Sequence, residues 1–262
     1  MEIGLSSASF YPNVDTENSI ALMKKIGFDI GEIFLNSPSE YDEDFIKLLL
    51  EEKYKNNFKV NSVLAFSSCF EPFLFDSYKR RREDMFIYFK NICKAAKLLG
   101  AECYTFHGMR RQDLSFVDYK FIVEVYNKLI YTAMEEGVKL CQENVSWCMS
   151  ADINFLKMIK EECKYPLYFT FDIKQSYKAK LEPKEYIDIM DDRMINFHIN
   201  DRDEKNPCLL PGKGTVNYRD LFNKLYEKEY SGNGIIEVYS NNYLNYTELT
   251  DAKIFLTNSI SN

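Results

Sequence analysis

The chain alternates between short runs of consecutive apolar residues and longer stretches in which apolar residues recur every three or four positions. The short runs are typical of strands in a buried parallel sheet, and the longer stretches are typical of amphipathic helices. The predicted strands are Glu2–Ser6, Ile30–Leu35, Lys59–Ala65, Glu102–His107, Lys139–Glu143, Leu167–Asp172, Met194–Ile199 and Gly234–Tyr239. The predicted helices are Thr16–Ile26, Asp42–Asn56, Ser77–Leu99, Phe116–Glu136, Asp152–Cys163, Pro183–Met190, Tyr218–Lys228 and Thr247–Thr257.

Eight strand–helix units are the number that closes a (β/α)8 barrel, the TIM barrel, which typically uses about 250 residues. The main alternative is an open, doubly wound sheet. That fold would be expected to carry a G-x-G-x-x-G or P-loop motif after its first strand, and the 262-residue chain has neither. Because no Pro- or Ser-rich linker interrupts the sequence, we expect an α/β fold with a single TIM barrel domain over residues 1–262.

Composition and charge narrow the classes of function. A net charge of −7 and a pI near 5.1 argue against a dedicated nucleic-acid binder, which needs a basic face. The longest apolar runs fall well short of the roughly 20 residues that span a membrane. The seven cysteines form no C-x-x-C pair, and no signal peptide is recognisable at the N-terminus. We therefore expect free thiols and a soluble cytoplasmic protein with neither a nucleic-acid nor a membrane partner.

Polar side chains interrupt the apolar runs at or near their carboxyl ends. They are Glu32, His107, Glu143, Asp172, His198 and Glu237. In a TIM barrel the carboxyl ends of all strands meet at one face, and neighbouring strands are about 4.8 Å apart. The last four of these residues lie on four consecutive predicted strands, so their side chains can converge. A single carboxylate at a strand end is commonly a helix cap, but four suitable residues in succession fit a shared site better.

A buried cluster of three carboxylates keeps its charge only if a cation neutralises it. A divalent metal ion with one imidazole as its fourth ligand satisfies this requirement. The oxygen-rich set suits Mn²⁺ best, and Mg²⁺, Co²⁺ or Zn²⁺ could also occupy it. The sequence therefore predicts one divalent metal ion held by Glu143, Asp172, His198 and Glu237.

Around these residues the chain resembles the xylose isomerase-like TIM barrel superfamily. Within it, the chain is similar to the sugar phosphate isomerase/epimerase family, whose members include relatives of tagatose 3-epimerases, hydroxypyruvate isomerases and inosose dehydratases. The similar segments are residues 26–34, 142–144, 171–175, 198–201, 211–214 and 236–237. Their order and spacing carry the resemblance, since none of the segments is specific alone.

The resemblance implies that the same four residues are the family's metal ligands. It also implies that Glu143 and Glu237 form an acid/base pair on opposite faces of the substrate. A proton would be removed next to a metal-polarised carbonyl and returned to an enediolate. The implied activity is a metal-dependent isomerase or epimerase, and the implied substrate is a small sugar, sugar phosphate or related polyol.

Further residues near the predicted strand ends are candidates for binding that carbohydrate. They are Glu32, His107, Gln175, Arg202, Lys213 and Trp147. Lys213 belongs to a Pro-Gly-Lys-Gly segment that matches a loop near the family's site, where such barrels often bind phosphate. The expected aromatic lining of the barrel mouth is Phe10, Tyr11, Phe66 and Trp147. An aromatic content of 15% is high, and a homo-oligomer interface would bury part of it.

One position departs from the family pattern. Relatives often carry D-x-x-H where this chain has Asp172 and Gln175, and an amide is neither a cation nor a strong metal ligand. The endonuclease IV branch holds three zinc ions with additional histidines, whereas this chain has two histidines in all, so DNA repair is not expected. An inosose-type dehydratase on the same metal site and a non-catalytic sugar-binding barrel remain as alternatives.

Overall fold

Eight parallel strands close into a barrel in the order in which they occur along the chain. The structure is a computed structural model, and it describes residues 1–113, 115 and 117–260. The strands are β1 (Ile3–Ser6), β2 (Ile30–Leu35), β3 (Lys59–Ala65), β4 (Cys103–Phe106), β5 (Lys139–Glu143), β6 (Tyr168–Asp172), β7 (Met194–Ile199) and β8 (Asn233–Ile236). The barrel closes where β1 pairs with β8, with Gly4 opposite Ile235.

Helices follow the strands around the outside of the barrel. In the described part of the chain they are α1 (Thr16–Lys25), α2 (Glu43–Lys55), α3 (Lys79–Leu99), α4 (Tyr119–Glu135), α5 (Ile153–Glu162), α6 (Ile173–Lys178), α7 (Pro183–Met190), α8 (Tyr218–Glu227) and α9 (Thr247–Ile260). The predicted (β/α)8 TIM barrel is therefore confirmed. The domain limits 1–262 stay a prediction.

Two strands end earlier than the hydrophobic pattern predicts. Strand β4 stops at Phe106, because the amides of His107 and Gly108 donate to the Glu71 carboxylate instead of continuing the ladder. Strand β8 stops at Ile236: the amide of Glu237 still donates to the Ile199 carbonyl, but the amides of Val238 and Tyr239 donate to the side chains of Ser9 and Asn242. These early endings leave His107 and Glu237 just beyond the sheet, at the barrel mouth.

The sequence analysis missed helix α6, which follows β6 directly and has only six residues. A helix this short shows no 3.6-residue periodicity that a sequence could reveal. It begins because the Asp172 side chain accepts a hydrogen bond from the amide of Gln175, the usual role of an N-cap aspartate. For α4, the predicted start at Phe116 lies outside the described residues, and the helix is described from Tyr119.

Each outer helix buries one apolar face against the barrel. In α8 the buried residues are Tyr218, Leu221 and Leu225, spaced three and four apart as an amphipathic helix requires. Burying a side chain such as leucine contributes about 1.5–3 kcal/mol. No helix in the described residues is both long enough and apolar enough to cross a membrane. All seven cysteines are free thiols.

The barrel interior also contains a polar layer beneath its mouth. Asn196 on β7 donates to hydroxyls on β3, β4 and β6, which are those of Ser62, Thr105 and Thr170. Every one of these side chains is fully buried. Because buried polar groups are tolerated only when they are hydrogen-bonded, this layer fixes the relative positions of the strands under the site.

Candidate metal centre

Four side chains at the carboxyl ends of β5 to β8 converge on one point. Their potential ligand atoms all lie within 4.8 Å of one another, and the residues are Glu143, Asp172, His198 and Glu237. Glu143 and Asp172 are the last residues of β5 and β6, and Asp172 lies beside His198 in the register of β6 with β7. The structure thus brings together the four residues that the sequence analysis proposed as metal ligands.

The imidazole of His198 is the centre of this cluster. Its Nδ1 atom is buried without a hydrogen-bond partner. The same atom lies 3.6 Å from Glu143 Oε1, 3.8 Å from Asp172 Oδ2 and 3.7 Å from Glu237 Oε2. Four ligands about 2.1 Å from an ion in a tetrahedron would be about 3.4 Å apart. The donor set and its spacing therefore fit one divalent ion of the kind that takes oxygen and nitrogen ligands.

The other ring nitrogen of His198 contacts Glu32, which lies deeper in the barrel. His198 Nε2 lies 3.1 Å from Glu32 Oε2, and Glu32 is completely buried. The carboxylate of Glu32 also accepts hydrogen bonds from the hydroxyls of Ser6, Ser62 and Thr105. A carboxylate in this position fixes the tautomer and orientation of a ligating imidazole. Glu32 therefore lies behind a candidate ligand, on the side away from the barrel mouth.

Electrostatic interactions within the cluster shift several pKa values. Burial alone would raise the pKa of Glu143, but the imidazoles of His107 and His198 outweigh it and hold that pKa well below its usual range. Burial raises the pKa of Asp172 to about 7, although Lys174 opposes the shift. For His198, burial lowers the pKa, and the carboxylates of Glu32 and Glu143 raise it well above its usual value. Without a metal ion, the neighbouring carboxylates thus favour the protonated form of the His198 imidazole.

His107 connects the cluster to the barrel mouth. Its Nε2 lies 2.9 Å from Glu143 Oε2, and its Nδ1 lies 2.5 Å from the Ser67 hydroxyl. Trp147 packs edge-on against the imidazole, with ring centroids 5.9 Å apart, and is 39% exposed. Of the predicted substrate-binding residues, His107 therefore contacts a candidate ligand, and Trp147 contacts His107.

Glu71 anchors the backbone that carries His107. It is fully buried in a short 3-10 helix and accepts hydrogen bonds from the amides of His107 and Gly108 at 2.8 Å, and from the Tyr104 hydroxyl. Burial raises the pKa of Glu71 to about 7. Glu71 follows no predicted strand, so the search of strand ends did not include it.

Lys174, the second residue of α6, places an ammonium group inside the cluster. Its Nζ lies 2.5 Å from Glu237 Oε2 and 3.2 Å from Asp172 Oδ2, and its side chain is only 2% exposed. Burial lowers the pKa of Lys174, but the two carboxylates outweigh that effect and raise it well above its usual value. The sequence analysis quoted Lys174 within a motif and gave it no role.

A family model for xylose isomerase-like TIM barrels matches residues 20–255 of the chain. The chain belongs to this family. Among curated proteins, no sequence matches it.

Several solved structures superpose on nearly the whole chain. A D-tagatose 3-epimerase-like protein is similar at a TM-score of 0.85 and 21% identity, covering 100% of this chain and 97% of that one. A D-psicose 3-epimerase from Clostridium cellulolyticum H10, solved with D-tagatose, has a TM-score of 0.79 and 16% identity, with 99% of each chain covered. The IOLI protein with a zinc atom has a TM-score of 0.82 and 17% identity, covering 100% and 98%. At these identities the likeness establishes the shared fold.

Gln175, where the sequence analysis found a departure from the family pattern, is bound to the neighbouring loop. Its side-chain oxygen accepts hydrogen bonds from the amide and the hydroxyl of Ser146, at 3.0 and 2.8 Å. Gln175 is 8% exposed, so it lies at the edge of the cluster. Its observed contacts secure the loop that follows β5.

Arg202 and Lys213 lie in the loop region that follows β7. The guanidinium of Arg202 lies 3.8 Å from the centroid of the Tyr177 ring, and Lys213 is exposed. The loop is fixed by Asp201, whose carboxylate accepts hydrogen bonds from the amides of Arg202, Gly212 and Val216. The phosphate-binding role that the sequence analysis gave to this loop stays a prediction.

Two asparagines that the sequence analysis did not select position Asp172. Asn144 exchanges two hydrogen bonds with the backbone of Asp172, at 2.7 and 3.0 Å. Asn200 donates to Asp172 Oδ1 at 3.2 Å. Both follow candidate ligands closely in the sequence, in the Gln-Glu-Asn and His-Ile-Asn segments. This closeness to a ligand is the sequence feature from which their role could have been predicted.

The aromatic lining of the mouth differs from the prediction in one residue. Phe10 is only 1% exposed and packs in the core, whereas Tyr11 and Phe66 are 46% and 37% exposed. The rings of Tyr11, Phe34 and Phe66 contact one another with centroids 5.9–6.4 Å apart. Phe34, one residue before the end of β2, therefore packs against Tyr11 and Phe66, whereas Phe10 does not belong to this group of rings.

Proposed function

We propose that this chain is a metal-dependent isomerase or epimerase of a small sugar or related polyol. The observation that carries the proposal is the buried, unpartnered Nδ1 of His198, which faces three carboxylate oxygens at 3.6–3.8 Å. A divalent metal ion accounts for this arrangement, because one ion can accept all four nitrogen and oxygen donors at once. The family membership and the structural similarity to a D-tagatose 3-epimerase-like protein and a D-psicose 3-epimerase support the same activity.

A divalent ion held by the four donors would supply Lewis-acid polarisation of a substrate carbonyl. The chain itself would supply the proton transfers. His107 and His198 keep Glu143 deprotonated, the form in which a carboxylate can accept a proton from the carbon next to that carbonyl. Glu237 approaches from the end of β8 and is 15% exposed, so it can exchange a proton with the same substrate from another direction. His107 and Trp147 would contact the substrate at the entrance.

Glu32 and Glu71 would act as positioning residues. Glu32 holds His198 with Nδ1 toward the cluster, and Glu71 holds the backbone of His107. Neither carboxylate would touch the substrate, because each is completely buried and already engaged by hydrogen bonds from the protein. The sequence-based role of Glu32 as a substrate contact is therefore replaced in this proposal.

The proposal is tested with the variants Glu143→Gln and Glu237→Gln, assayed on D-tagatose, other ketoses and inososes in the presence of Mn²⁺ or Co²⁺. Loss of a general acid or base costs about 10²–10⁴-fold in rate, so we expect at least a hundredfold loss in both variants. The control is Glu102→Gln, which changes a 52% exposed carboxylate just before β4 and should leave turnover intact.

Full turnover in both variants would contradict the acid/base roles of the two glutamates. Sugar binding by the unmodified protein without any chemical change would favour the non-catalytic sugar-binding barrel. Release of a β-hydroxyl from an inosose, without epimerisation of any ketose, would favour the dehydratase.

A further inference from the structure

Lys174 places a positive charge in a cluster that has enough donors to bind a metal ion without it. Three carboxylates and one imidazole already supply four donors, yet an ammonium group contacts two of the carboxylates from the side of α6. Its depth is unusual, because lysine is almost never fully buried unless it is paired. In this chain the ammonium is paired with Asp172 and Glu237.

The position of α6, directly after β6, brings Lys174 into contact with Asp172 and Glu237. Asp172 caps α6 through its Oδ1 atom, so the first turn of the helix begins at the cluster. Lys174 is the second residue of that turn, and its side chain returns toward the strand end rather than toward solvent. The ammonium is therefore built into the site and does not reach it from a mobile loop.

The oxygens that Lys174 contacts are the ones that face the centre of the cluster. Asp172 Oδ2 and Glu237 Oε2 are each within 3.8 Å of His198 Nδ1, and the same two atoms are 3.2 and 2.5 Å from Lys174 Nζ. An ion bound to both oxygens would lie about 2.1 Å from each of them. The ion and the ammonium would then be close neighbours of equal sign, and each weakens the hold of these oxygens on the other.

We propose that Lys174 is an internal counter-cation that competes with the divalent metal ion for Asp172 and Glu237. The inference rests on the metal site of the proposed function and concerns how tightly that site holds its ion. Without metal, the ammonium offsets part of the charge of the three carboxylates and stabilises the empty cluster. Metal binding displaces the ammonium toward the ring of Tyr239, whose centroid is 5.2 Å from Lys174 Nζ and can take a cation on its face.

The test compares Lys174→Met with Lys178→Met. Methionine keeps most of the length of the unbranched side chain and removes the ammonium group with its charge. Lys178 lies one turn further along α6 and donates to the Tyr239 hydroxyl at 3.0 Å, so its variant controls for a general loss of positive charge beside the site. Two quantities are measured for each protein: the Kd for Co²⁺ by competition with a chromogenic chelator, and the thermal midpoint in EDTA.

We expect Lys174→Met to bind Co²⁺ at least tenfold more tightly than the unmodified protein. We also expect its midpoint in EDTA to be lower, because its carboxylates have lost their internal counter-cation. Lys178→Met should match the unmodified protein in both measurements. The two readouts move in opposite directions, which a purely structural role of Lys174 would not produce.

An unchanged Kd in Lys174→Met would overturn the competition, and a weaker one would mean that Lys174 orders the ligands. Either result leaves the proposed function standing, provided that the unmodified protein binds one ion and His198→Ala binds none. Absence of Co²⁺ binding in both the unmodified protein and Lys174→Met would overturn the competition and the metal-dependent function together.

Discussion

Glu71 links the stability of the barrel mouth to pH. Its carboxyl group is fully buried beside His107, and burial raises its pKa from 4.5 to about 7 even though three donors point at it. An unfolded chain would release this proton near pH 4.5, whereas the folded protein keeps it until about pH 7. Between these two values the folded state binds one more proton than the unfolded state.

The sign and size of the effect follow from this difference. Stability falls as pH rises wherever the folded state binds more protons, so the contribution of Glu71 is fully present below about pH 4.5 and is lost as pH passes about 7. One pKa unit corresponds to about 1.36 kcal/mol. Integrated from about pH 5 to about pH 8, the lost contribution amounts to about 2.5 kcal/mol.

The assay is urea unfolding at several pH values between about 5 and 8, in EDTA so that metal binding adds nothing. The measured quantity is the free energy of unfolding of the unmodified protein minus that of Glu71→Gln, which cancels the titration of groups that do not interact with Glu71. We expect this difference to fall by about 2.5 kcal/mol across the range.

The control variant, Tyr104→Phe, removes one hydrogen bond to Glu71 and keeps the carboxyl group of Glu71. It should lose stability throughout and still show a fall in stability as pH rises, because the carboxyl group of Glu71 still titrates. A difference between the unmodified protein and Glu71→Gln that stays constant with pH would refute the reasoning.

The remaining predictions concern the support of the site. Glu32→Gln weakens the interaction that orients His198, so its affinity for Co²⁺ should fall about 10–100-fold, with the circular dichroism spectrum unchanged. Unchanged affinity would mean that Glu32 does not orient the ligand. Gly214→Ala would place a Cβ atom 2.2 Å from the carbonyl oxygen of Arg202, and such overpacking should cost about 1–3 kcal/mol of unfolding free energy. Lys213→Ala in the same loop should unfold like the unmodified protein, and equal stability of both variants would contradict the overpacking.

The fold and the cluster could be predicted because both depend on regular spacing. Eight apolar runs separated by amphipathic stretches have few solutions other than a closed barrel. Once the fold is assumed, a polar residue at the end of a run must lie at the mouth, as Glu143 and Asp172 do. His198, one residue before the end of β7, follows the same logic.

Contacts that depend on loops or on depth within the barrel could not be predicted in this way. Glu32 lies in the middle of β2 rather than at its end, so its side chain is buried below the mouth. Lys174 reaches the cluster only because α6 begins immediately at the strand end, and Glu71 reaches His107 from a 3-10 helix. The local pattern of hydrophobic and polar residues does not indicate that Glu32, Lys174 and Glu71 make these contacts.

The measurement that tests the account most directly is the number of divalent ions bound per chain at equilibrium. The protein would be dialysed against Co²⁺, Mn²⁺ or Zn²⁺, and bound metal would be quantified by plasma mass spectrometry beside His198→Ala. The account predicts one ion per chain in the unmodified protein and none in the variant, because Nδ1 of His198 faces all three carboxylates. No bound ion in the unmodified protein, or equal binding by His198→Ala, would contradict the metal centre.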